Sequence, residues 1–534
     1  MAALACAIGL TVKYGSTYRP VVEPVREIEE IWALEDAREE SGEPLVTRLF
    51  CNGVPMAYDA ENNVFYGSLG LENGAQWPEI KLTASEETAK GLSLCFADDY
   101  GFDDCDAAIR EGYSYQIFAY TDTAYSYAEV VFTGLPLVNV TADQTIERED
   151  VPAQIEIALA AEGLQTNGRI HKRGGASILN DKVGYKLEFT RTTGGKKKIY
   201  REIPGMGTDS QVILLPMNAL DTTMMRDRLS WALYARLTRR DEPFSARKTQ
   251  YCELFLNGEY RGVYLMLEPF SVRQEVAKAG EERLTTDSVY RTAVISLSHG
   301  RPCMEDPYSA ATGFELYYPM DGEPDFSPLA DYFALLGETD DAAFMRRAAQ
   351  IIDLDSALRY DVVLQLFGLT DNVINNMYTW AQNSRGHTRY RFDFWDLDVS
   401  WGLKRDEIGE MHENWVFFPL VDRLLRADEE GGVRKRYGEI YREVREKAFD
   451  TETVEALVGQ YAHELNDSGA MARNAERWET ENYAADGYEL VAFAAERIAL
   501  LDEPVRAMSA GEKIDLRFLE KTNYDDKGTP LSEE

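Results

Sequence analysis

Asp371, Asn372, Asn375 and Asn376 stand together after an apolar run, and Trp395-Asp396-Leu397-Asp398 closes the next one. Asp371 and Asn376 are five residues apart. A carboxylate and an amide at that spacing can supply a proton acceptor for a hydroxyl and a metal-binding oxygen from one loop, the arrangement used in phosphoryl transfer. Asp396 then falls where such a site places its magnesium carboxylate, at the end of the following strand. A third group is basic: Arg173-Gly174-Gly175-Ala176-Ser177, then a strand with Lys182 and Lys186. A glycine-rich turn beside lysines can cradle phosphate through backbone N–H groups and ammonium charge. The same residues also serve ordinary structure. Asp371-Asn372 suits an Asx turn after a helix, Asp398 suits a cap on the following turn, and a glycine-rich turn is first of all a turn.

Elements must position these groups. Leu354, Ala357, Leu358, Val362, Leu366 and Leu369 recur at helical spacing behind Asp353, so a capped helix over 354–369 runs directly into Asp371. Residues 389–394 alternate and predict a strand that delivers Trp395 and Asp396. Asp221 is the expected N-cap of a helix whose apolar face is Met225, Leu229, Ala232, Leu233 and Leu237. Within it, Arg226 is expected to pair with Asp221 or Asp227. Residues 250–256 and 260–267 flank Asn257-Gly258, which predicts a hairpin with a type I′ turn. Thr193-Gly-Gly-Lys196-Lys197-Lys198 is an exposed tip. Helical patterns cover 420–425, 433–449, 454–465 and 488–501.

The chain divides by pattern into four parts. Residues 1–45 are a leader and linker with a Glu-rich patch. The apolar run 2–12 is too short to span a bilayer. It resembles the tail of a secretory signal but lacks a basic n-region, Leu4-Ala5-Cys6 is a poor lipoprotein site, and a clipped start explains the run equally well. Residues 46–134 predict a small antiparallel, sandwich-like β domain, read as a binding or spacer module. Residues 135–505 carry every motif above, and 506–534 are a polar tail.

With 92 acidic against 56 basic residues, the net charge of −36 excludes a broad nucleic-acid-binding face, and it repels anionic membranes. No further membrane span and no internal repeat is legible. Cysteines and the five histidines are too dispersed for a zinc site. Cys95 and Cys105 are either a local disulfide in an oxidising compartment or two half-buried thiols.

Taken in order, the motifs resemble those of the CotH kinase family, named for a spore coat protein. They are Arg173-Gly-x-x-Ser177 before a lysine-bearing strand, Asp221-x-x-x-x-Arg226, Asn257-Gly-Glu-Tyr-Arg-Gly-Val-Tyr-Leu-Met-Leu-Glu268, Asp371-Asn372…Asn376, Trp395-Asp-Leu-Asp398-x-x-x-Gly402, and Asn474…Arg477-Trp478. The resemblance covers 135–505. It implies an α+β, atypical protein-kinase-like fold with the N-terminal β domain and a C-terminal helical subdomain. It also implies ATP and Mg²⁺ or Mn²⁺ as cofactors, and phosphoryl transfer to Ser or Thr of a partner protein. Asp371 is then the catalytic residue. Asp396 binds metal, with Asn376 and Asp398 as further ligands. Arg173 and either Lys182 or Lys186 meet the phosphates, Glu268 marks the adenine hinge, and Tyr390 replaces an adenine-packing Trp. The usual Arg-Gly-Asn-Ser-Ser is here Arg173-Gly-Gly-Ala-Ser177, and Val183 follows Lys182 where a second basic residue is usual. Both departures touch the phosphate grip rather than the metal carboxylates. The charge implies a basic, Ser-rich segment as substrate. Export or cell-surface attachment is expected, with the cytoplasm left open. The rival readings are a catalytically weak or inactive surface scaffold or adhesin, and a metal-dependent phosphate-releasing hydrolase.

Overall fold

Strand alternation in the first half and helical spacing in the second yield a mixed α+β architecture. The computed structural model describes residues 20–71, 74, 80–85, 88–97, 105–174, 176–217, 221–237, 246–270, 287–292, 313–318, 325–373, 375–384, 387–403, 415–416, 418–480 and 486–512. The apolar run 2–12, Cys6, Gly175, Cys303 and most of the expected tail lie outside these. The chain forms two compact units. One comprises Met1–Gln211, Tyr251–Tyr264 and Glu464–Asn482, the other Val212–Gln250, Leu265–His463 and Tyr483–Glu534.

The first unit opens with a seven-stranded sheet and a three-stranded sheet sharing a core of Leu49, Phe65, Leu82, Leu94, Ile117 and Val130. The expected antiparallel pairing holds only in part. Ala124–Thr133 pairs antiparallel with Ser114–Tyr120 but parallel with Val64–Ser68. Alternation reports which face of a strand is buried and carries no information on the direction of its neighbour. Cys95 and Cys105 are buried and are not joined by a disulfide, so the thiol alternative holds. Along the chain, and not confined to the first unit, there follows a closed barrel with strand order Leu137–Thr141, Val151–Leu159, Glu162–Arg173, Gly184–Thr190, Gln211–Leu215, Glu259–Leu267, Thr249–Leu256. Asn257 (φ 54°) and Gly258 (φ 78°) are both left-handed, as a type I′ turn requires.

In the second unit a four-stranded sheet runs Phe314–Tyr318, Ser288–Thr292, Met377–Ser384, His387–Phe394. The helix Leu354–Phe367 is capped by Asp353, whose carboxylate accepts from the Ser356 N–H. It ends at Gly368 (φ 65°), where a Cβ would lie 2.7 Å from the Phe493 ring. The C-terminal helices include Pro419–Ala427, Gly432–Lys447, Thr451–Asp467 and Tyr488–Ser509. The last runs past residue 505, so the expected polar tail begins later than its composition indicated.

Candidate active site

The loop after Gly368 turns immediately into a short 3-10 helix, Asp371–Val373. Asp371 is buried, and amides hold both of its carboxylate oxygens. Asn375 Nδ2 donates to Oδ1 at 3.1 Å and Asn376 Nδ2 to Oδ2 at 2.8 Å. Asn376 adopts φ 59°, and its carbonyl accepts the Trp395 N–H at 2.9 Å. Asn372, fully buried, donates through Nδ2 to the Trp395 carbonyl at 2.7 Å. The Asp371 loop and the turn carrying Asp396 are therefore stapled through both polar groups of one residue. Asp396 itself is half-buried with φ 55°, a left-handed conformation uncommon for any residue but glycine.

The helix Arg226–Ala235 holds the same turn from another side. It starts later than its capping residue indicated because Asp221 first closes a turn, accepting from the N–H and Oγ1 of Thr223. Asp221 then reaches the Arg226 N–H and pairs with the Arg226 guanidinium, which also meets Glu489 at 2.5 Å and the Ser400 carbonyl at 3.1 Å. Of the two acids expected to pair with Arg226, Asp221 does so. Asp227 instead accepts the Leu397 N–H at 3.1 Å, and Ser230 Oγ accepts from Trp401 Nε1 at 2.9 Å. Burial first, then the charges of Asp398 and Asp396, push the Asp227 carboxyl well above the usual range, against the lowering effect of the Leu397 N–H. Asp227 is the residue sequence reasoning missed, since its contact lies 170 residues away. Its signal was the run Arg226-Asp227-Arg228, three charges in a helix buried at nearly every position.

Among the described residues no three Asp, Glu, His or Cys side chains converge as a ready-made metal cage. A magnesium ion bound with nucleotide does not need one, because phosphate oxygens and water fill most of its octahedron beside one or two carboxylates. Asp396 and Asp398, whose negative charges crowd Asp227, are hard oxygen donors suited to Mg²⁺ or Mn²⁺. The residues present thus fit such an ion.

The basic residues belong to the first unit. Lys182 is spoken for: its ammonium donates to the Val263 carbonyl at 2.6 Å and to Asn474 Oδ1 at 3.0 Å, and it lies over the Tyr264 ring. Asn474 Oδ1 also accepts the Val263 N–H. Gly262 (φ 87°) is required here, because a Cβ would lie 2.5 Å from that oxygen. Arg477 and Trp478 bond the carbonyls of Tyr260 and Arg261. Lys182, Gly262, Asn474, Arg477 and Trp478 therefore form one knot. Lys186 is partly exposed and pairs with Glu188 at 3.1 Å. Burial raises the Glu188 carboxyl, but Lys198 and Lys186 outweigh it and hold the group at about 2. Arg173 ends its strand opposite Gly184, before the left-handed Gly174 (φ 128°).

Glu268 follows its strand and exchanges hydrogen bonds with the Lys248 backbone. Tyr390 requires a correction. Its ring is fully buried against Tyr332 and its hydroxyl donates to the Pro328 carbonyl at 2.6 Å, so it has no face for adenine. Tyr390, Phe392 and Phe394 alternate along one strand and all lie in the core, a pattern the sequence already carried.

The family model described as CotH kinase protein matches residues 170–501. No curated protein matches the chain.

Proposed function

The chain belongs to the CotH kinase family, and on that premise we propose an ATP- and divalent-metal-dependent protein kinase that transfers the γ-phosphate to Ser or Thr of a partner protein. The observation that carries the reading is the stapling of Asp371 to the Asp396 turn through the N–H and carbonyl of Trp395. Asp371 is the proton acceptor. As the substrate Oγ–P bond forms and the bond from γ-phosphorus to the ADP oxygen breaks, the hydroxyl proton passes to its carboxylate. Asn375 and Asn376 fix the orientation of that carboxylate, so no side-chain search precedes the transfer. Asp396, with Asp398 and the Asn376 amide oxygen, would hold the divalent ion, which would supply charge neutralisation for the transferring phosphoryl group. Among the basic residues of the first unit, the Lys182 ammonium is held internally by the Val263 carbonyl and Asn474. The backbone beside Glu268 is assigned to adenine. The atypical kinase-like fold, a basic Ser-rich substrate and a cell-surface or exported location belong to the same proposal.

A second reading, an inactive CotH-like surface scaffold or adhesin, is favoured by two observations: Lys182 is internally bonded and Tyr390 is enclosed. Nucleotide binding separates the two. Under the kinase reading, ATP with Mg²⁺ raises the melting temperature, since ligand at a hundred times its Kd stabilises by about 2.7 kcal/mol, and Asp396→Ala abolishes the shift. An unchanged melting temperature at millimolar ATP and Mg²⁺ contradicts it.

A further inference from the structure

Asp396 sits between two peptide groups, and each is gripped by a buried side chain from elsewhere in the same unit. On its N-terminal side, Asn372 Nδ2 donates to the Trp395 carbonyl at 2.7 Å. On its C-terminal side, Asp227 Oδ1 accepts the Leu397 N–H at 3.1 Å. Both gripping residues are buried, Asn372 fully. Both are themselves anchored. The Tyr360 hydroxyl donates to the Asn372 carbonyl at 2.7 Å, and Asp227 rides on a helix whose Arg226 and Ser230 bind the same segment at Ser400 and Trp401.

Between the two grips, Asp396 holds φ 55°. An aspartate tolerates left-handed backbone better than most residues with a Cβ, but the conformation is still uncommon and needs local support. A strained backbone angle at a functional residue persists only where the surroundings over-determine it.

We propose that Asp227 and Asn372 are the positioning pair of this site: they clamp the two peptide groups around Asp396 and so aim its carboxylate at the divalent ion. Neither residue is a ligand in this proposal. Asp227 contributes an acceptor for one N–H, and Asn372 contributes a donor to one carbonyl. The inference rests on the assignment of Asp396 as a metal residue.

The test is Mn²⁺ affinity in the presence of ADP, read by the electron paramagnetic resonance of free Mn²⁺, on the full chain. Four proteins are compared: wild type, Asp227→Val, Asn372→Leu and Asp227→Asn. The apolar variants keep side-chain volume while removing the acceptor or the donor. Losing an outer partner of a metal residue typically weakens affinity 10–100-fold, and that loss is expected for both. Asp227→Asn retains an amide oxygen for the Leu397 N–H, so its affinity should stay within about threefold of wild type. That rescue separates an acceptor for the Leu397 N–H from a charged metal ligand, and the affinity loss in folded Asn372→Leu is what a merely structural role would not produce. If Asp227→Val does not fold, the Asn372→Leu and Asp227→Asn results still decide. Wild-type affinity in Asn372→Leu, or a tenfold or greater loss in Asp227→Asn, overturns the clamp while leaving the metal site standing. A wild-type protein that binds no Mn²⁺ overturns the metal assignment itself, and the clamp with it.

Discussion

At the scale of residues, burial decides what each charged group does. Lys182 is the sharpest case. Burial lowers its ammonium from 10.5 to about 7, with Cys252 opposing. Between pH 7 and 10.5 the unfolded chain therefore binds the proton that the folded chain has released, so stability rises with pH across that window. Lys182→Met should flatten the dependence of melting temperature on pH between 7 and 10, as calorimetry would record. An unchanged slope would contradict the internal role. Asp361 runs the other way. Burial raises it to about 7 against hydrogen bonds from Tyr437 and Gln365. Its folded form keeps a proton that the unfolded form has lost, so stability falls as pH rises from about 4 to 7. Asp361→Asn should remove that loss and leave the variant at least as stable as wild type at pH 8 by denaturant titration. Asp361 carries no signal in its spacing, and Lys182 carries one for a different role. A lone lysine beside a glycine-rich turn reads as a phosphate ligand until its partners at Val263 and Asn474 are seen.

At the scale of elements, the sequence was most legible where local chemistry decides. Asp353 as cap, Asn257-Gly258 as turn and the helix feeding Asp371 depend on residues a few positions apart, and all three are present. What was not legible depends on partners far along the chain. The direction of Val64–Ser68 beside Ala124–Thr133 is one case. The grip of Asp227 on Leu397 is another. Tyr390 differs for another reason: its family position implies an adenine contact, whereas its strand period places it in the core with Phe392 and Phe394. The helix end at Gly368 offers the cleanest test of how an element aims the site. Gly368→Ala places a Cβ on a left-handed residue and 2.7 Å from Phe493, for a loss of about 2 kcal/mol. Because Asp371 follows three residues later, phosphoryl transfer should fall more than the fraction unfolded accounts for. Equal losses in the two would show that the helix end supports the fold alone.

At the scale of the whole molecule, the net charge of −36 is a property of the chain rather than of its site. It predicts long-range attraction for a cationic substrate, screened by salt over a Debye length of about 10 Å at 0.1 M. Raising NaCl from 50 to 500 mM should increase KM several-fold for a Lys-rich Ser peptide and leave a neutral Ser peptide nearly unchanged. Equal responses would remove charge from the account of substrate choice. The central claim, however, is the chemistry at Asp371 and Asp396. It is tested most directly by transfer of labelled γ-phosphate from ATP, with Mg²⁺ or Mn²⁺, to a basic Ser-rich protein substrate. Wild type, Asp371→Ala and Asp396→Ala should be run side by side. The account predicts label on serine or threonine with the wild type and a loss of at least about a hundredfold in each variant. Transfer that survives both substitutions, or a wild type that binds nucleotide and transfers to no protein acceptor, would contradict it.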